Sequence, residues 1–206
     1  MATDEQEVAR MPAAGSAAIL QLSIELGLLY NQRMKIRLIF AQALIPYALW
    51  LIIDYQYHFI DGANLLIHEA GHVLFGLPGH RLLMVAGGTL LQLLVPLMFA
   101  GHLYVQRDRF GASLCLFWFA ESLMYTAVYL GDAKAGKLPL FGVGKVQHDW
   151  LYLLKTVGLL DYCTEIASLL HIFASALLCL AIYLAVRASA GSASPGEEIP
   201  GFSDRQ

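Results

Sequence analysis

The chain has 206 residues, 58% of them hydrophobic and only 14% charged, with a formal net charge of −3. Soluble globular chains carry about 25% charged residues. Here the shortfall lies in long apolar runs, so the composition points to an integral membrane protein. The near-neutral charge and the lack of a sustained basic run argue against nucleic acid as a partner.

Residues 1–34 are expected to form a cytoplasmic N-terminal segment. Its acidic start, MATDEQEV, lacks the basic n-region of a signal peptide. Residues 17–31, apolar but holding Gln21 and Glu25, read as an amphipathic or surface helix. A transmembrane bundle is expected over 35–187. Its first span, 36–53, follows Arg33, Lys35 and Arg37, which place that end in the cytoplasm. The second span, 59–79, is centred on HEAGH; the third, 83–105, carries Pro96 as a kink point. The fourth is 110–132 and the last 163–186.

Each run is near the roughly 20 residues needed to cross a bilayer core. The expected fold is therefore an all-α polytopic membrane bundle of about five transmembrane helices. Its termini would lie on opposite sides. His80, Arg81, Lys134, Lys137 and Lys145 would be inside, with Arg107 and Arg109 outside. A polar loop, 133–147, precedes HDWLYLLKTVGLL, where Trp150, Tyr152 and Lys155 suit a short interfacial helix. The Ser/Gly/Pro-rich acidic end, 188–206, reads as a disordered tail. Cys115, Cys163 and Cys179 stand singly in apolar segments and make no disulfide or CxxC framework. No pattern sets an oligomeric state.

The chemistry concentrates at His68-Glu69-Ala70-Gly71-His72. On a helix, residues i and i+4 share a face, so His68 and His72 can offer ring nitrogens to one cation. Imidazole is a favoured Zn2+ ligand. Glu69 adjoins the pair, where a carboxylate can take a proton from a water that zinc acidifies. The alternative, a polar cluster gluing helices together, explains the histidines without the adjacent base. Ionisable residues at membrane depth are costly and mark function.

A catalytic zinc site takes a third protein ligand. Asp132, in YLGDA, and His148, in QHDW, are the two candidates, and the residues leave the choice between them open. Asp149 reads either as a first-turn acid of the interfacial helix or as a carboxylate orienting a His148 ligand. Glu121, inside the fourth span, ranks below both; His80, His102 and His171 read as hydrogen-bonded or interfacial histidines. Gly87, Gly88 and Gln92, in AGGTLLQLLVP, are candidates for admitting an extended substrate.

Together, HEAGH in an early span, the small, amide-bearing AGGTLLQLLVP in the next and the aspartate closing YLGDA resemble the site-2-protease-like intramembrane zinc metallopeptidases. LPLFG and HDW extend the resemblance to small bacterial membrane proteins related to that group. It covers residues 60–160 and is most specific at HEAGH. The resemblance implies an enzyme of the bacterial inner (plasma) membrane that cleaves membrane-protein substrates within the lipid bilayer. Zinc with a base would equally serve hydrolysis of a lipid amide or ester, and zinc alone a non-catalytic metal-binding protein.

Overall fold

The structure, a computed structural model, describes residues 13–139 and 148–190, with side chains from Ile19 onward. The acidic N-terminal stretch, Lys145 and the tail from residue 191 lie outside the described residues. Among the described residues six α-helices follow in order: α1 (Ala13–Ile53), α2 (Phe59–Gly76), α3 (Arg81–Val105), α4 (Arg109–Gly131), α5 (Asp149–Val157) and α6 (Cys163–Ala190), with one 3-10 turn at Leu160–Tyr162. No strand occurs among the described residues.

Four helical stretches are long and apolar enough to cross a membrane: Ile19–Ile53, Arg81–Val105, Arg109–Gly131 and Leu160–Ala190. Large apolar side chains such as Ile39, Met98, Leu169 and Ile172 stand on the outside of the bundle. A contiguous apolar exterior of this kind is untenable in water and natural against lipid.

Two sequence expectations change. The proposed surface helix and first span are one continuous helix, α1, of 41 residues. The polar break at Gln32-Arg33-Met34-Lys35 does not interrupt it, because these straight-chain residues are good helix formers. HEAGH lies on α2, which is not among the four candidate spans. Its 18 residues include Asp61, Asn64, His68, Glu69 and His72, which dilute its hydropathy. Asn64, in its second turn, bonds to Trp118, Glu121 and Ser122 at the middle of α4. α2 therefore starts at mid-bundle and runs to one end only.

That half-length helix also changes which residues share an end. Arg37 approaches Asp108 at 3.7 Å and lies over the Phe110 ring. Arg37, Arg107, Arg109 and Arg187 line one cavity. The first and last helices thus meet at the same end, not at opposite ones. Arg81, stacked 4.8 Å from the Tyr152 ring centroid of α5, marks the other end.

The core is made by α4, which packs against both α3 and α6. Ala48 and Leu51 of α1 join Phe117, Ala120, Leu123 and Met124 of α4 and Ala174, Leu178 and Ala181 of α6. Alanines at these contacts let helices approach closely, which is how packing works where lipid removes the hydrophobic drive between helices. α3 runs unbroken through Pro96, buried in that helix.

Candidate metal centre

α2 lies against α3 at a distance only glycine permits. A Cβ on Gly71 would stand 2.2 Å from the Gly87 carbonyl oxygen. One turn away, a Cβ on Gly88 would stand 2.5 Å from His68 Nε2 and 2.7 Å from His72 Cε1. Gly88 is thus the floor on which the two imidazoles rest. Gly87 and Gly88 are both buried and pack closely beneath the histidine pair.

The rings are held by their Nδ1 atoms. His68 Nδ1 donates to Gln92 Oε1 at 3.1 Å, and His72 Nδ1 donates to the Met84 carbonyl at 2.9 Å. A carbonyl oxygen only accepts, so each Nδ1 carries a proton. Gln92, fully buried, is anchored in turn through its Nε2, which donates to the Ser122 carbonyl at 3.4 Å. Such partners fix the ring tautomer and leave both Nε2 atoms to face one point.

At that point stands Asp149. Its Oδ2 is 2.9 Å from His68 Nε2 and 3.2 Å from His72 Nε2. Ligand atoms of His68, His72 and Asp149 all lie within 4.8 Å of one another. Two imidazole lone pairs facing a carboxylate oxygen repel unless a cation sits between them. With bonds of about 2.0–2.1 Å, tetrahedral zinc separates its ligand atoms by about 3.3 Å. The observed spacings suit that geometry, and two imidazoles with one carboxylate suit the metal. Protons on the Nε2 atoms are the other answer. In that state burial pushes the Asp149 carboxyl up, but hydrogen bonds and charge from the two histidines outweigh it and hold it at about 2.

Asp149 reaches this position because α5 packs against α3 and α4 at this end of the bundle. His148 caps α5, its Nδ1 accepting from the Leu151 amide at 3.4 Å. The Tyr129 hydroxyl, in the last turns of α4, accepts from the Asp149 amide at 3.1 Å and donates to Oδ2 at 3.4 Å. The Tyr129 ring stacks on His148 with centroids 4.3 Å apart. The side chain of His68 is 5% exposed, that of Asp149 13% and that of His72 22%, so the cluster opens on the His72 side. Glu69, one residue along α2, is exposed on that helix.

The two residues singled out in the sequence as third ligands stand elsewhere. The Asp132 carboxylate accepts from the Lys137 and Leu138 amides, each at 2.9 Å, and organises the turn after α4. His148 Nε2 is buried, without a hydrogen-bond partner among the described residues, and 3.7 Å from Asp132 Oδ2. Burial lowers the pKa of His148 against the opposing pull of Asp132 and Asp149. His148 and Asp132 therefore face each other, and it is Asp149 that joins His68 and His72.

A second cluster went unread in the sequence. His58, Asp61 and Glu121 also present ligand atoms within 4.8 Å of one another. His58 Nδ1 lies 2.8 Å from Asp61 Oδ2, and Asn64 Nδ2 donates to Glu121 Oε2 at 2.8 Å. Tyr55 donates to both carboxylates, and Tyr47 bonds His58 Nε2. Asp61, Asn64 and Glu121 are fully buried. Every one of these groups has a partner, which makes the cluster a polar keystone between α1, α2 and α4. The sequence signal was Asp61 and Glu121 in otherwise apolar surroundings.

No family model, no curated protein and no solved structure matches this chain.

Proposed function

We propose that the protein is a multi-pass zinc peptidase of the bacterial inner membrane, cleaving peptide bonds of membrane-protein substrates. The observation that carries this reading is the Asp149 oxygen facing the Nε2 atoms of His68 and His72 at 2.9 and 3.2 Å. Four helices fit to cross a membrane support its location. HEAGH and the AGGTLLQLLVP segment packed beneath it support the family reading.

Zinc held by His68, His72 and Asp149 would polarise a carbonyl and acidify a water beside it. The chain supplies the rest. Glu69, next to His68 in sequence and exposed on α2, would take a proton from the attacking water and return it to the departing amine. Gln92 and the Met84 carbonyl keep the two rings in the tautomer whose Nε2 lone pairs face the centre. Tyr129 holds Asp149 against them. The opening beside His72 is the route for an extended segment of substrate.

Glu69→Gln tests the reading. It should retain about one zinc per chain and lose peptide-bond cleavage, measured on membrane-protein substrates in reconstituted vesicles. Full cleavage by this variant would end the catalytic assignment. Cleavage of lipid amides or esters alone would transfer the same chemistry to a lipid hydrolase. Zinc retention with no turnover by the unaltered chain would leave a metal-binding protein.

A further inference from the structure

At the end of the bundle away from the histidine pair, a cavity of about 800 Å3 opens between α1, α3, α4 and α6. Four guanidinium groups line it, those of Arg37, Arg107, Arg109 and Arg187. Among the described residues Asp108 is the one carboxylate on its wall, so the described lining carries a net charge of +3, four cations less one anion. Three of the arginines are seated on aromatic faces: Arg37 over Phe110, Arg109 over Tyr104 and Arg187 over Tyr183, at 5.1–5.9 Å. Arg107 has φ +64°, a left-handed backbone that glycine adopts freely and arginine does not. The turn between α3 and α4 thus carries a long cation at a place where glycine would fit best. Below the arginines the wall is apolar, with Ala100, Leu116 and Leu184.

We infer that this cavity binds the phosphate headgroup of an anionic phospholipid. Guanidinium groups pair with phosphate through forked hydrogen bonds, and four arginines lining one cavity offer several such forks. The cavity lies at the ends of helices apolar enough to cross a membrane, which is where headgroups lie. Its apolar wall continues down α3, α4 and α6, along the path of an acyl chain. A phosphate ester carrying such a chain satisfies both parts; a free phosphate satisfies only the rim. The same grouping gathers basic residues from α1, the α3–α4 turn and α6 at one face, the pattern of a cytoplasmic surface.

The test is native mass spectrometry of the full chain released from micelles doped with equal phosphatidylglycerol and phosphatidylcholine. The phosphatidylglycerol adduct should be retained preferentially. Arg107→Ala and Arg109→Ala should each weaken it about fivefold. Asp108→Asn, which keeps a capping side chain, should tighten it by a similar factor, a gain that misfolding does not produce. Lys155→Ala, at the other end, should leave it unchanged. Equal retention of the two lipids would overturn the proposal. So would undiminished binding in the arginine variants, or an equal loss in Lys155→Ala. Displacement of the lipid by millimolar inorganic phosphate would overturn it in favour of a free-phosphate site.

Discussion

Gln92 meets His68 across the α2–α3 contact, its Oε1 accepting from Nδ1 at 3.1 Å while its Nε2 is tied to the Ser122 carbonyl. One buried amide therefore links the His68 ring to the backbone of α4. Gln92→Leu removes the acceptor, leaves the Nδ1–H without a partner and frees the ring to change tautomer. Loss of such a supporting partner lowers metal affinity by about 10–100-fold. Competition against a chromophoric chelator measures it, with helical content as the control. Unchanged affinity would remove Gln92 from the site.

Asp149→Ala should abolish stoichiometric zinc binding, whereas Asp132→Ala and His148→Ala should retain it with reduced affinity. Asp132 organises a turn and His148 caps α5, so their loss reaches the centre only through the position of Asp149. Metal analysis of the three purified variants, made without chelators, ranks them. Zinc kept by Asp149→Ala and lost by Asp132→Ala would assign the ligand to Asp132.

Gly88→Ala should disturb the centre without replacing any candidate ligand. Its Cβ would stand 2.5 Å from His68 Nε2, so the ring must move, and the backbone beneath it is fixed by the Gly71 contact. A mispositioned ligand should lower zinc affinity at least about tenfold, as loss of a supporting partner does. The expected signature is weaker metal binding in a chain with unaltered circular dichroism. Wild-type affinity would show that the ring yields freely.

Glu121→Ala should act on stability. The substitution strips partners from Asn64, Tyr55 and His58 in a buried network. Each buried polar group left unpaired costs about 1–3 kcal/mol. Denaturant unfolding in detergent reads the loss, and the folded fraction should still take up zinc. A variant as stable as the parent would mean that the cluster is not a keystone.

The local parts of this structure were legible in the sequence, and the non-local parts were not. HEAGH announces a helix and a shared face because i and i+4 are set by helix geometry alone. Asp149 reads locally as a first-turn acid, and it is one: α5 begins there, behind its His148 cap. Its partner His68 lies 81 residues earlier, and only the packing of α5 against α3 and α4 brings them together. Depth was also hidden. Span lengths suggested that HEAGH sits at mid-membrane, whereas α2 starts at mid-bundle, anchored by Asn64 to the centre of α4. His58 falls just before the expected 59–79 span and Asp61 in its first turn, and their partner Glu121 lies 60 or more residues further along the chain, so nothing local pairs them.

Two of the three candidate ligands ride on α2, wedged against α3, while the third rides on a nine-residue helix outside the main bundle. A cation shared by the three would therefore also clasp α5 to α2. By reciprocity of linked equilibria, tighter metal binding and firmer seating of α5 are the same free energy measured from two sides. Anything that pries α5 loose must loosen the ion, and chelation must in turn release α5.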